Sequence, residues 1–323
     1  GSNYPTGFKE TLTIRGVPLL QTHPGNVFWV SNNTTLLTGE RAGSNGNKGD
    51  FWNPWSTLDY AVGRCQAGRG DVIMLKAGHA ETVSTATALA LDVAGIAIVG
   101  LGVGSSRPTF TLDTAATATI GVEANNISMQ NCVISANFAD IVSAFTLSAV
   151  GATSKNFTLE NCDILATAVN MNFLHVIDTN ATANDADGLA VLNCFWHEPD
   201  AATLAFALVD ADQANWRIEG NTMVTGAATA DVAALFTMGA TDITGLRVLR
   251  NNIDITGNAG TVAGLLITTS GTAGTGIIAY NNLKHLDATT EILMTATHTY
   301  GLFENRATAV ANSQGYLLPA VDA

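Results

Sequence analysis

Cations, aromatic rings, cysteines and long apolar runs are all scarce in this 323-residue chain. Lys and Arg number 14 against 27 Asp and Glu, for a formal charge of −13, and this balance withholds the basic footprint that a nucleic-acid backbone requires. Charged residues make up 13% of the chain, well below the roughly 25% usual for globular domains, yet 47% is hydrophobic. The chain is therefore expected to fold around a sizeable core rather than to stay disordered. Its longest apolar stretch, 89–104, is broken by Asp92 and several glycines, so no membrane span is expected. The opening Gly1-Ser2-Asn3-Tyr4-Pro5 has neither a charged nor an apolar leader region, and no signal peptide is expected from it. Cys65, Cys132, Cys162 and Cys194 form no CxxC pair, and the six histidines form no HxH or HExxH group. Neither a disulfide framework nor a metal is expected, and no cofactor motif appears.

What the chain does have is a repeat. The segments Ile127-Ser128-Met129-Gln130-Asn131-Cys132, Phe157-Thr158-Leu159-Glu160-Asn161-Cys162 and Leu189-Ala190-Val191-Leu192-Asn193-Cys194 each alternate like a strand and end in Asn-Cys. Three later segments end alike, giving a column Cys132, Cys162, Cys194, Asn221, Asn252 and Asn282 with spacings of 30, 32, 27, 31 and 30. Each unit carries a second apolar run, at 142–147, 173–177, 204–209, 232–236, 262–267 and 292–294. Short strands at this period, with Gly, Asn, Thr and Asp turns and no amphipathic helix, exclude ankyrin and tetratricopeptide arrays. They imply a parallel β-helix, in which turn residues stack in columns and amides bond along the stack. The three cysteines are then a reduced, buried ladder, since Cys is small and commonly buried. About eight coils at roughly 4.8 Å each would run about 40 Å.

The ends differ from the middle, as solenoid caps must. A strand at 27–31, a polar Gly/Asn loop at 43–50, a helix opened by Asn53-Pro54-Trp55-Ser56-Thr57 and running through Cys65, and then Gly70-Asp71-Val72-Ile73-Met74-Leu75-Lys76-Ala77-Gly78 follow one another. This order resembles the N-terminal cap of right-handed parallel β-helix proteins of the pectin-lyase-like superfamily. The resemblance spans about residues 27 to 305. It implies an all-β, right-handed parallel β-helix with an N-terminal helix cap at 27–70, preceded by an arm at 1–26 and followed by a cap or tail at 306–323. Members include pectate lyases, phage tailspikes that cut polysaccharide, and non-enzymatic virion proteins. The flanking pieces are similar to those of phage-encoded β-helix proteins, some of which look like trimers that decorate capsids with a tailspike-like body.

A polysaccharide hydrolase would need paired carboxylates on an outer face. Counting 16 residues past each anchor gives Ser148, Asp178, Asp210, Thr237, Thr268 and His298, and within it Asp178 and Asp210 are the expected pair, one coil apart. Ser and Thr fill the column as readily, which favours a strand end turning to solvent. Asp185, Asp187 and Asp212 read as turn residues rather than a calcium site. Lyase chemistry needs a basic constellation, and only Lys155, Arg217, Arg247, Arg250 and Lys284 fall between 127 and 305. Trp196 and Trp216 are the candidate sugar platforms, while Trp29, Trp52 and Trp55 belong to the cap. The resemblance, together with the scarcity of aromatic and basic groups on the coils, thus implies a non-enzymatic virion protein, a homotrimer on the outer capsid surface, with Tyr4, Pro5, Phe8, Val17, Leu19 and Leu20 of the arm expected to contact the major capsid protein. The alternative is a tailspike that binds or hydrolyses host surface polysaccharide.

Overall fold

The computed structural model describes residues 13–14, 17–18, 25–148, 151–168, 170–180, 182–199, 203–225, 236–238, 241–254, 267–268, 274–285, 299–309 and 316–318. It is a parallel β-helix. Each coil contributes a strand to up to three sheets, because turns every few residues stop the strands early and send the chain around the core. The first sheet stacks ten strands, from Val27–Val30 and Val72–Leu75 to Thr299–Phe303. The second also has ten, from Ala80–Val83 to Tyr316–Leu318, and the third has seven, from Ala90–Leu91 to Ile267–Thr268. The first sheet has two strands more than the eight coils expected, and one of them is the cap strand Val27–Val30, which joins it directly, parallel to Val72–Leu75.

Side chains facing inward form one core that includes Ile98, Met129, Leu159, Val191, Ile218 and Val248 in consecutive coils. The helix is shorter than its sequence signal, Leu58–Val62. Its Leu58, Ala61 and Val62 are buried against Val27–Val30, Val72–Leu75 and Ala90–Leu91, covering the open end of the core. Thr57 does not cap it through its side chain. Glu81 from the first coil accepts the Leu58 N–H at 2.9 Å instead, tying helix to solenoid. At the far end Tyr316–Leu318 pairs antiparallel with Asn305–Ala309, which breaks the parallel stacking direction.

The bend between the first and second sheets repeats a two-residue device. Asn131, Asn161, Asn193, Gly220, Arg250, Tyr280 and Glu304 all adopt positive φ there, between 45° and 70°. The next residue points inward and forms the ladder. The Cys132 N–H meets the Cys162 sulfur at 3.4 Å, and Asn221 Oδ1 accepts the Cys194 N–H at 2.8 Å. Above them Asn251, Asn281 and Asn305 each accept the N–H of the residue one coil before, over steps of 30, 30 and 24 residues. Placing Asn252 and Asn282 in this column is therefore corrected: both are exposed, and they bond each other at 2.9 Å on the outside, while Asn251 and Asn281 hold the buried rungs. The three cysteines are buried free thiols, and burial pushes the Cys162 and Cys194 thiols well above the ordinary value.

Candidate functional site

The third sheet breaks the simple in-out alternation of a strand. In Ile141–Leu147 the adjacent residues Ala144 and Phe145 both enter the core, as do Val176 and Ile177 in Phe173–Thr179, and Phe206 and Ala207 in Ala205–Val209. Two consecutive inward side chains require a bend, and on the outer side the bend brings residues three apart together. Ser143 Oγ and Thr146 Oγ1 accordingly lie 2.9 Å apart, and Thr119 Oγ1 of the preceding coil reaches both, at 3.3 and 3.0 Å. These hydroxyls line a cavity of about 210 Å³, walled by Ala118, Val142 and Gly121 and overlooked by Glu123.

The same bend on the next coil carries ionisable groups. Ser143 is opposite His175 and Thr146 is opposite Asp178 in the parallel register. His175 is 5% exposed, and its ring nitrogens have no well-aligned hydrogen-bond partner, the nearest polar group being the Val142 backbone. Burial lowers its pKa from the ordinary imidazole value, opposed in part by the Val142 backbone and the Asp210 charge. Asp178 is half-buried, and burial, reinforced by Asp210, pushes its pKa up to about 6. No cation or hydrogen-bond donor among the described residues offsets that rise. None of the third sheet's strands contains Lys or Arg.

Asp178 and Asp210 do not share a column. Asp178 is opposite Thr146 and Leu208, and Thr237 and Thr268 continue that line. Asp210 falls two residues beyond, because the link between the second and third sheets is two residues shorter in the coil of Cys194 than in that of Cys162. The stacked pair expected of a retaining glycosidase is thus corrected to a diagonal one. About 6.6 Å along the strand and about 4.8 Å across it give a spacing of roughly 8 Å. Ser148 is out of the column too: it is buried and bonds Ser154 Oγ at 2.7 Å. His298 lies outside the described residues.

The proposed sugar platforms are inside the molecule. Trp216 is fully buried and donates to the Ala186 carbonyl at 2.9 Å, while Trp196 packs edge-on against Phe206 in the core. Arg217 and Arg247 are neighbours in register, and Arg217 pairs with Glu219 at 2.5 Å. The acidic turn residues serve the turns: Asp187 accepts the Ala214 N–H and Asp212 the Asp242 N–H, each at 2.8 Å. Among the described residues no group of three or more His, Cys, Asp and Glu side chains is placed to hold a metal ion. Of the arm, Val17 is described as part of the strand Val17–Pro18, paired antiparallel with Thr13–Ile14. Tyr4, Pro5, Phe8, Leu19 and Leu20 lie outside the described residues.

Sequence reasoning did not find His175, Ser143, Thr146 and Thr119 as a group. Ser143 and Thr146 are ordinary strand residues until the bend brings them onto Thr119, with His175 beside Ser143 on the next coil, and the adjacent inward pairs Ala144-Phe145 and Val176-Ile177 are the signal in the sequence.

No family model matches the chain. No curated protein matches it either. Among solved structures it is similar to a pectin methylesterase from Aspergillus niger in deglycosylated form, at 13% identity over 88% of this chain and 90% of that one, with a TM-score of 0.49. It is also similar to a rhamnogalacturonan lyase at 13% identity, over 87% of both chains, with a TM-score of 0.36. At such scores the likeness is one of outline, and the residues of the groove have to be read on their own chemistry.

Proposed function

We propose that this chain is a non-enzymatic structural protein of a phage particle, a homotrimer that decorates the outer capsid surface and contacts the major capsid protein through residues 1–26. The observation that carries the reading is an apolar column at rung spacing on the outer face of the third sheet. On the third sheet Val142, Leu174 and Leu204 are consecutive in register, with Val142 42% and Leu204 44% exposed. On the first sheet Ile277 and Phe303, 45% and 55% exposed, lie on adjacent strands but two residues apart in register. An apolar column on a sheet whose strands carry no Lys or Arg suits packing against protein, and closed symmetry is the usual result.

Imaging particles that carry a labelled copy tests the location: label over the shell supports decoration, and label on the tail overturns it. Sedimentation of the isolated chain tests the trimer, with a monomer as the contrary result. Removal of residues 1–20 should leave a trimer of unchanged melting temperature that no longer binds bare capsids; retained capsid binding, or a large loss of stability, removes the docking role of the arm.

One observation favours a polysaccharide-cleaving tailspike. The diagonal spacing of Asp178 and Asp210 suits an inverting pair, for which roughly 6.5–9.5 Å leaves room for water, and the raised pKa of Asp178 suits a general acid. Cleavage of host surface polysaccharide by the wild type that is lost in either Asp178→Ala or Asp210→Ala would establish it over decoration.

A further inference from the structure

We propose that the outer face of the first sheet, at its C-terminal coils, docks an extended acidic and apolar segment of a partner protein, with a carboxylate set between Arg217 and Arg247 and a bulky apolar side chain two residues later over Ile277. Such docking goes beyond the phage reading and does not rest on it. The charge of this spot is an exception in the chain. The whole molecule carries −13, yet the two cations found in the ten strands of this sheet, Arg217 and Arg247, are directly opposite each other on neighbouring strands. Like charges so placed destabilise a sheet. A third guanidinium stands at the adjoining bend, where Arg250 adopts φ 56°.

The acids nearby do not balance these cations. Glu219 is shared, pairing with Arg217 at 2.5 Å and with Arg250 at 2.8 Å. Glu304, two rungs beyond Arg250 at the same bend, is exposed and pairs with none of the three. Arg247 forms no ion pair among the described residues, whereas Arg69, Lys76, Arg107 and Lys155 each have a carboxylate of their own. All three arginines of the patch are exposed. A guanidinium takes a carboxylate through two parallel N–H bonds and is weakly hydrated, which suits it to an interface. Apolar surface identifies the rest of the segment. Ile277 follows Arg247 in register and is 45% exposed, and Tyr280 and Phe303 beside it are 50% and 55% exposed. From midway between Arg217 and Arg247 to Ile277 is one and a half rungs, about 7 Å, which is also the spacing of side chains i and i+2 on an extended chain crossing the strands. One segment thus meets the charge and the apolar residues together. A free anion would leave the apolar residues uncovered, and an acidic saccharide would set hydroxyls against them.

The probe is the peptide acetyl-Thr-Glu-Thr-Leu-Thr-amide, titrated into the full chain at low salt with the arginine Nε–H NMR signals as the readout. Its controls are the same peptide with Gln for Glu, the same peptide with Ser for Leu, and trigalacturonate. The probe is expected to saturate with a Kd of about 1 mM and to move the Arg247 signal. The glutamine peptide is expected not to bind, and affinity for the probe is expected to fall about tenfold in Arg247→Gln and on raising salt to about 1 M. Ile277→Ser, which keeps every charge, should weaken the leucine peptide and leave the serine peptide unchanged, and it covers the case in which Arg247→Gln misfolds. Saturation by the glutamine peptide equal to that by the probe, no saturation up to about 10 mM, affinity unchanged in both variants, or tighter binding of trigalacturonate would each overturn the proposal.

Discussion

Two columns of buried polar groups run along this solenoid, and they are treated in opposite ways. In the ladder at the first bend, each Asn is joined to the rungs on either side. Asn251 Nδ2 donates to the Ile218 carbonyl and to Asn281 Oδ1, while its own Oδ1 accepts from Asn221. At the third-sheet bend, His175 and Asp178 are desolvated three residues apart on the same strand, and no ladder of amides joins them to the next coil. Repetition explains the first column, since an amide that both donates and accepts satisfies its own copy one coil away. The second column does not repeat: Ser143 is followed by His175 and then Ala205, so no partner recurs at the coil spacing. A solenoid stabilises what it repeats, and a residue that breaks the repeat loses that support.

The comparison breaks most visibly at the ladder. Asn251→Ala should lower stability by about 3 kcal/mol or more, because it strands the buried Asn221 N–H and the Ile218 carbonyl as well as losing its own bonds, and denaturant unfolding measures this. An effect below about 1 kcal/mol would mean that the rungs are not coupled. At the other end of the same column, Cys132, Cys162 and Cys194 should be inert to a thiol reagent at pH 8 in the folded protein and all react on denaturation. Rapid native labelling of any of the three would contradict their burial.

The groove gives a smaller effect of opposite sign. Asp178 keeps a proton in the folded state at pH values where the unfolded chain has already released it, so its burial costs stability as pH rises from about 4 to about 6. Asp178→Asn should therefore raise stability at pH 7.5 by about 1 kcal/mol, after discounting for partial exposure, and change nothing at pH 4. His175 works the other way. Its imidazole titrates below the ordinary value in the fold, so stability is expected to fall as pH drops below about 6.5 and the unfolded ring takes up its proton. The smallest expected change is Asn252→Ala, under about 0.5 kcal/mol, since that amide bonds only an exposed neighbour.

The fold was legible because the coil period survives in the alternation of each strand and in the Asn-Cys endings. The register of the ladder was not, and the reason lies in backbone conformation. At Asn131, Asn161, Asn193 and Gly220 the positive-φ residue is of the type expected there, so Asn251 and Asn281 look like further cases and Asn252 and Asn282 like the rungs. The chain instead puts Arg250 at φ 56° and Tyr280 at φ 60°. A cost of about 1 kcal/mol at each is offset by keeping the buried amide chain unbroken, and Arg250 also gains an ion pair with Glu219 at 2.8 Å. Asp178 and Asp210 were visible as acids near strand ends. Their relative placement was not, because it depends on a two-residue difference in the length of a link that carries no pattern of its own.

The measurement that bears most directly on the contrast is the pKa of Asp178 in the folded wild-type chain, followed by carboxyl carbon NMR against pH. A midpoint near 6 is the result for a half-buried carboxylate without a donor or a cation. A midpoint at or below the ordinary value of 3.8 would mean that the group already has its partner within the chain, and the groove would then be as self-sufficient as the ladder.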